Sequence, residues 1–138
     1  MKQKLNCILL IDDDEPTNFI NELVIKKMDC THKVVSKSGA RDALEYLKSQ
    51  HNGTHPQPDL IFLDINMPAM NGWDFLEEYK TLDDRQKAKI VIVMLTTSLN
   101  PDDEERANKI KEINAFKSKP LTKELMEEIL NKYFSDKL

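Results

Sequence analysis

Acids stand at the ends of the apolar runs in this chain. Cys7-Ile-Leu-Leu-Ile11 passes straight into Asp12-Asp13-Asp14, and Leu60-Ile-Phe-Leu63 into Asp64. A third run, Ile90 to Leu95, ends on the hydroxyls of Thr96, Thr97 and Ser98. Carboxylates gathered from two strands repel one another and are costly to keep ionised unless a cation joins them. Oxygen donors without a nearby His or Cys favour a hard, magnesium-type ion, which keeps several waters and commonly shares its shell with phosphate. A carboxylate beside such an ion can attack a phosphoryl group and become an aspartyl phosphate. Asp64 is the candidate nucleophile. Phosphoryl transfer asks mostly for positioning and neutralisation of charge, which Lys119 and Thr96 are placed to add. Lys119 precedes Pro120, and an X-Pro bond is able to be cis.

These residues meet only if the runs are neighbouring strands. The runs are continuously apolar rather than alternating, which means burial on both faces, as in a parallel sheet. Between them lie stretches at helical spacing: Ile20, Leu23, Val24 and Met28 in one, Ala40, Ala43, Leu44 and Leu47 in the next. His32 to Val35 reads as a weaker second strand, Trp73 to Tyr79 as a third helix, and Ala115 to Lys117 as a fifth strand. Asn100-Pro101 opens a fourth helix, with Asp102 to Glu105 solvated near its positive dipole end. Thr122 caps a fifth, on which Leu125, Ile129 and Tyr133 share a face with Met126 and Leu130 beside it. The alternation predicts an α/β fold, a doubly wound parallel sheet with five helices and right-handed crossovers, binding ligands beyond the carboxyl ends of its strands. Gln50 to Pro58, rich in His, Asn, Gly and Pro, is expected to be a mobile loop at the opposite end.

The 138 residues suit one domain spanning 1–138, with no effector domain expected. No apolar run approaches the roughly 20 residues needed to span a bilayer, and the N-terminal run is too short for a signal peptide and ends in acids. A cytoplasmic protein with no membrane partner is expected. Twenty-four acids against 20 bases leave a net charge of −4, which gives no chain-wide reason to bind nucleic acid. Cys7 and Cys30 form no CxxC pair and read as reduced thiols.

Ile8-Leu-Leu-Ile-Asp-Asp13, Asp64-Ile-Asn-Met-Pro-Ala-Met-Asn-Gly72, Met94-Leu-Thr-Thr97 and Phe116-Lys-Ser-Lys-Pro120, taken together and in order, resemble the signature blocks of two-component response-regulator receiver domains. The resemblance implies a flavodoxin-like strand order, 2-1-3-4-5. It implies that Asp64 receives a phosphoryl group from a histidine kinase or histidine phosphotransfer protein. Asp13, Asp64 and the backbone carbonyl of Asn66 would ligate Mg2+, with Asp12 acting through water. Thr96 and Phe116 would form a switch, Lys119 would pair with the phosphate, and Asn66 and Ser98 would tune its lifetime. A downstream protein target would read the surface of helix four, strand five and helix five, on a monomer or a phosphorylation-dependent dimer. Phe116 stands where the family often has Tyr.

Asp13-Asp14, followed by Glu15-Pro16, also matches a family spelling for the metal-binding pair. Asp12-Asp13 is preferred because it puts the acids directly after Ile11 and turns Ile20 and Val24 to the buried face of the first helix. Plainer roles compete at several positions. Asp14 and Glu15 suit a helix start, His51 and His55 lack a third ligand for a metal, and Trp73 suits packing against the loop leaving the third strand. Two other functions remain open: an aspartate-nucleophile phosphohydrolase, disfavoured by Asn66 where such enzymes carry a second acid, and a binding module independent of phosphorylation.

Overall fold

The computed structural model describes residues 3–50, 53–82, 90–97 and 99–137. Its strands are β1 (Ile8–Ile11), β2 (Val34–Lys37), β3 (Leu60–Asp64), β4 (Val91–Thr96) and β5 (Ala115–Ser118). All neighbours pair in parallel, in the order β2-β1-β3-β4-β5. Ile8 lies opposite Leu60, Leu60 opposite Val91, and Val93 opposite Ala115. The strand ends therefore line up, and the residues just past each strand collect on one rim.

The continuous apolar runs are explained by two layers of core. Leu9, Ile11, Ile61, Leu63, Ile92 and Met94 pack on one face with α2 (Ala40–Lys48), α3 (Gly72–Tyr79) and Ala107 of α4 (Pro101–Asn108). Ile8, Leu10, Leu60, Phe62, Val93 and Leu95 pack on the other with α1 (Glu15–Met28) and α5 (Lys123–Tyr133). Each such side chain contributes about 1.5–3 kcal/mol on burial, so both parities of a central strand must be apolar. Four helices start on a side-chain cap: Asp14 accepts from Thr17 N, Asn71 from Asp74 N, Asn100 from Asp102 N and Thr122 from Leu125 N. Each cap satisfies an otherwise orphaned backbone donor. A short 3-10 turn, Ser135–Lys137, follows α5, and none of the described helices is long and apolar enough to cross a membrane.

Three expectations need correction. The second strand runs Val34–Lys37, two residues beyond the expected start, because pairing of Ile8 with Val34 sets the register and Thr31 only bridges Leu5. As a half-buried edge strand it admits Ser36 and Lys37, so apolarity gives no signal for its end. The buried face of α1 is Asn18, Asn21 and Ile25, with the expected Val24 packed at its margin; the expected Ile20 is 54% exposed and Leu23 also faces outward. The Asp14 cap and a bond from Asn18 Nδ2 to the Asp12 carbonyl (2.8 Å) fix the helix phase, overriding the apolar spacing. On α5 the inner line is Met126, Ile129 and Leu130, with Leu125 and Tyr133 at its margins. His51 lies outside the described residues, while His55 bonds locally to the Ser49 carbonyl at 2.8 Å.

Candidate functional site

The carboxyl rim of β1, β3 and β4 brings Asp12, Asp64 and Thr96 together. Asp12 leaves β1 directly and is 4% exposed, Asp64 is the last residue of β3 and 7% exposed, and Thr96 closes β4, also buried. From the end of β5, Lys119 reaches across: its Nζ lies 2.7 Å from Asp12 Oδ2 and 3.1 Å from Asp64 Oδ1. The Lys119 backbone is pinned by donating its N–H to the Thr96 carbonyl at 2.7 Å, and the Lys119–Pro120 bond is cis. Carboxylate oxygens of Asp12, Asp13 and Asp64 lie within 4.8 Å of one another, with Asp13 exposed. Asp14 points away as the α1 cap, so the buried pair-forming acid is Asp12.

One lysine paired with two of three clustered carboxylates leaves the cluster electrically unbalanced. Burial first, and then the Asp12 charge, push the Asp64 carboxyl above its ordinary value despite the pull of Lys119. Burial pulls Lys119 down, but its hydrogen bonds to Asp12 and Asp64 outweigh this and hold its ammonium above its ordinary value. An acid paired with a lysine is normally shifted down; at Asp64 burial and the neighbouring Asp12 charge outweigh that pull. The donor set fits a hard divalent ion: oxygen ligands only, two of them buried, and a third open to water.

The loop after β3 is built for close approach. Ala69 takes a left-handed φ of 65°, and Met70 N bonds back to the Pro68 carbonyl at 2.6 Å. The chain thereby returns so that Gly72 N donates to Ile65 O at 2.8 Å. A Cβ on Gly72 would sit 2.5 Å from the Asp64 carbonyl oxygen, so only glycine lets α3 begin against the backbone of Asp64. Asn66 is exposed two residues past Asp64, and Ser98 lies outside the described residues. Phe116 is half-buried against the core layer that contains Ala107 of α4. Trp73 is buried under the Arg106 guanidinium, 4.4 Å from the ring centre, so it packs rather than protrudes.

Two features escaped the sequence analysis. Gly72 carries the close approach, and the Asn-Gly pair was its signal. Asn18 and Asn21 are buried directly beneath the acids, and two amides three residues apart inside an amphipathic stretch were the available clue. Beside the site, Thr17, Ile20, Asn21, Thr97, Lys119 and Pro120 line an open cavity of ≈ 310 Å³.

The profile of the response regulator receiver domain matches residues 8–131. The response regulator Rcp1 of Synechocystis sp. is 33% identical over 97 residues, covering 70% of this chain and 65% of its own length. The Mn(2+)-bound crystal form of Rcp1 superposes with a TM-score of 0.73 at 26% identity, covering 96% of both chains. A two-component response regulator from Cytophaga hutchinsonii gives a TM-score of 0.82 at 29% identity, covering 96% of this chain and 99% of that one. The phosphorylated cyanobacterial phytochrome response regulator RcpA gives 0.74 at 25% identity, covering 95% of each.

Proposed function

Because the chain belongs to the response regulator receiver family, whose members are generally signalling proteins, we propose that Asp64 is a phosphoacceptor supplied by a histidine kinase or histidine phosphotransfer protein. The observation that carries this is the buried bridge of Lys119 Nζ to both Asp12 and Asp64. A carboxylate oxygen of Asp64 forms the new P–O bond as the P–N bond of a phosphohistidine breaks, and the departing ring nitrogen takes up a proton. Lys119 then meets the phosphoryl oxygens from the position it already occupies between the acids.

Asp12, Asp13 and Asp64, with the Asn66 carbonyl, would hold Mg2+, Asp12 through water. When bound, the ion supplies positive charge to the phosphoryl oxygens. Thr96, buried at the end of β4, offers its hydroxyl to the same group, and Phe116 follows by moving further into its half-buried place. That shift biases a two-state surface over α4, β5 and α5, where a downstream protein target docks. Asn66 and Ser98 tune how long the phosphoryl group persists. The phosphodonor approaches over α1, where Phe19 is 61% exposed and Ile20 and Leu23 continue an apolar face beside the opening lined by Thr97 and Pro120.

Intact mass after incubation with acetyl phosphate tests this. The native protein gains one phosphoryl group with Mg2+ and none with a chelator, and Asp64→Asn gains none. Undiminished uptake by Asp64→Asn would refute the assignment.

A further inference from the structure

Behind the acids, a small cavity of ≈ 10 Å³ is lined by Asp12, Asn18, Asn21, Asp64, Phe62 and Leu95 among others. That is room for about one water molecule. Asn18 is 6% exposed, and its Oδ1 is buried with no hydrogen-bond donor. The amide cannot be turned over to relieve this. Its other end lies 2.8 Å from the Asp12 carbonyl, an acceptor that only the NH2 group can satisfy. An apolar side chain in this place would extend the Ile25 line of α1 and avoid a buried unsatisfied acceptor, which costs about 1–3 kcal/mol. Asn21 is equally buried and lines the same wall. Asp64 meets Lys119 through Oδ1, at 3.1 Å.

We propose that Asn18 is a positioning residue: Asn18 Oδ1 holds a buried water that donates its second hydrogen bond to the Asp64 carboxylate and fixes the rotation of that carboxylate for attack on phosphorus. The water accepts from the Asn21 amide, which gives it three partners, the usual number for a buried water. This rests on the phosphoacceptor assignment of Asp64 and adds residues that no pairing of acids with metal would call for.

The test measures the initial rate of phosphoryl uptake from acetyl phosphate at saturating Mg2+, with Mg2+ affinity by calorimetry and melting temperature on the same proteins. Asn18→Leu, which keeps the shape and loses both polar atoms, is expected to slow uptake roughly tenfold or more, in line with the loss of an outer-shell partner. Its Mg2+ affinity changes much less, and its melting temperature falls only by what the lost bond to the Asp12 carbonyl costs, about 1–3 kcal/mol of stability. Asn18→Ser, which keeps an acceptor and leaves space for the water, recovers most of the rate. A native rate in Asn18→Leu overturns the proposal. A loss confined to Mg2+ affinity overturns it too, because the amide would then act through Asp12 alone. Should Asn18→Leu fail to fold, Asn21→Leu decides: it keeps the bond to Asp12 and is expected to slow uptake severalfold, and a native rate there counts against the water. Absence of uptake by the native protein would refute the phosphoacceptor assignment itself, a result distinct from all of these.

Discussion

At the amino-terminal rim of the sheet the side chains of Asp59 and Asn114 bind backbone, whereas at the carboxyl-terminal rim those of Asp12, Asp64 and Lys119 bind one another. Asp59 precedes β3, and its carboxylate accepts from Asn6 N at 2.6 Å while its peptide bonds Cys7 O and Val91 N, tying β1, β3 and β4. Asn114 precedes β5, and it accepts from Ile92 N at 2.9 Å, donates its N–H to Ile92 O, and offers its carbonyl to Tyr133 OH. These contacts close the ladder and gather no charge. At the other rim Asp12 and Asp64 share one lysine with Asp13 clustered beside them, and the carboxyl of Asp64 is raised rather than lowered. The difference teaches that stability is concentrated at one end of the strands and unbalanced charge, available to a ligand, at the other.

Lys119→Met is the strongest way to break this contrast. It removes the cation facing the phosphoryl oxygens, and uptake from acetyl phosphate should fall by roughly two to three orders of magnitude, as when an oxyanion donor is lost. A rate near native would mean that the rim works without its cation. At the opposite rim, Asn114→Ala leaves Ile92 N without its acceptor and should cost about 1–2 kcal/mol in denaturant unfolding, with uptake unchanged. A matching loss of uptake would show that the two ends are not separable.

The smallest effect has the opposite sign. Asp64 binds its proton more tightly folded than unfolded, so its contribution to stability is present at low pH and is lost as pH rises through the folded value. Asp64→Asn removes that loss and should raise the melting temperature at pH 7 by roughly 2–4 °C. The gain should fade as pH falls toward the ordinary carboxyl value of 3.8, where Asp64 is itself protonated. A lower melting temperature at pH 7 would mean that Lys119 more than balances the charge of Asp64.

The central strands and their terminal acids were legible because burial on both faces forces unbroken apolar runs, and a charge directly after such a run marks where the strand leaves the core. Lys119 was legible through its place before Pro120 at the end of β5. The phase of α1 was not, because Ile20 and Leu23 mimic a core stripe while Asn18 and Asn21 are buried toward the sheet, Asn18 bonding the carbonyl of Asp12. Periodicity weighs apolar residues and is blind to amides buried for their hydrogen bonds. The limits of β2 were hidden for a related reason, since a half-buried edge strand admits Ser36 and Lys37.

The most direct measurement is to locate the acyl phosphate. The native protein is incubated with acetyl phosphate and Mg2+ and then treated with borohydride, which reduces an aspartyl phosphate to homoserine, and the modified residue is read by peptide mass spectrometry. The charge-unbalanced rim predicts homoserine at position 64 and nowhere else. Homoserine at position 12 or 13, or no reduction product from protein that carries the phosphoryl mass, would contradict it.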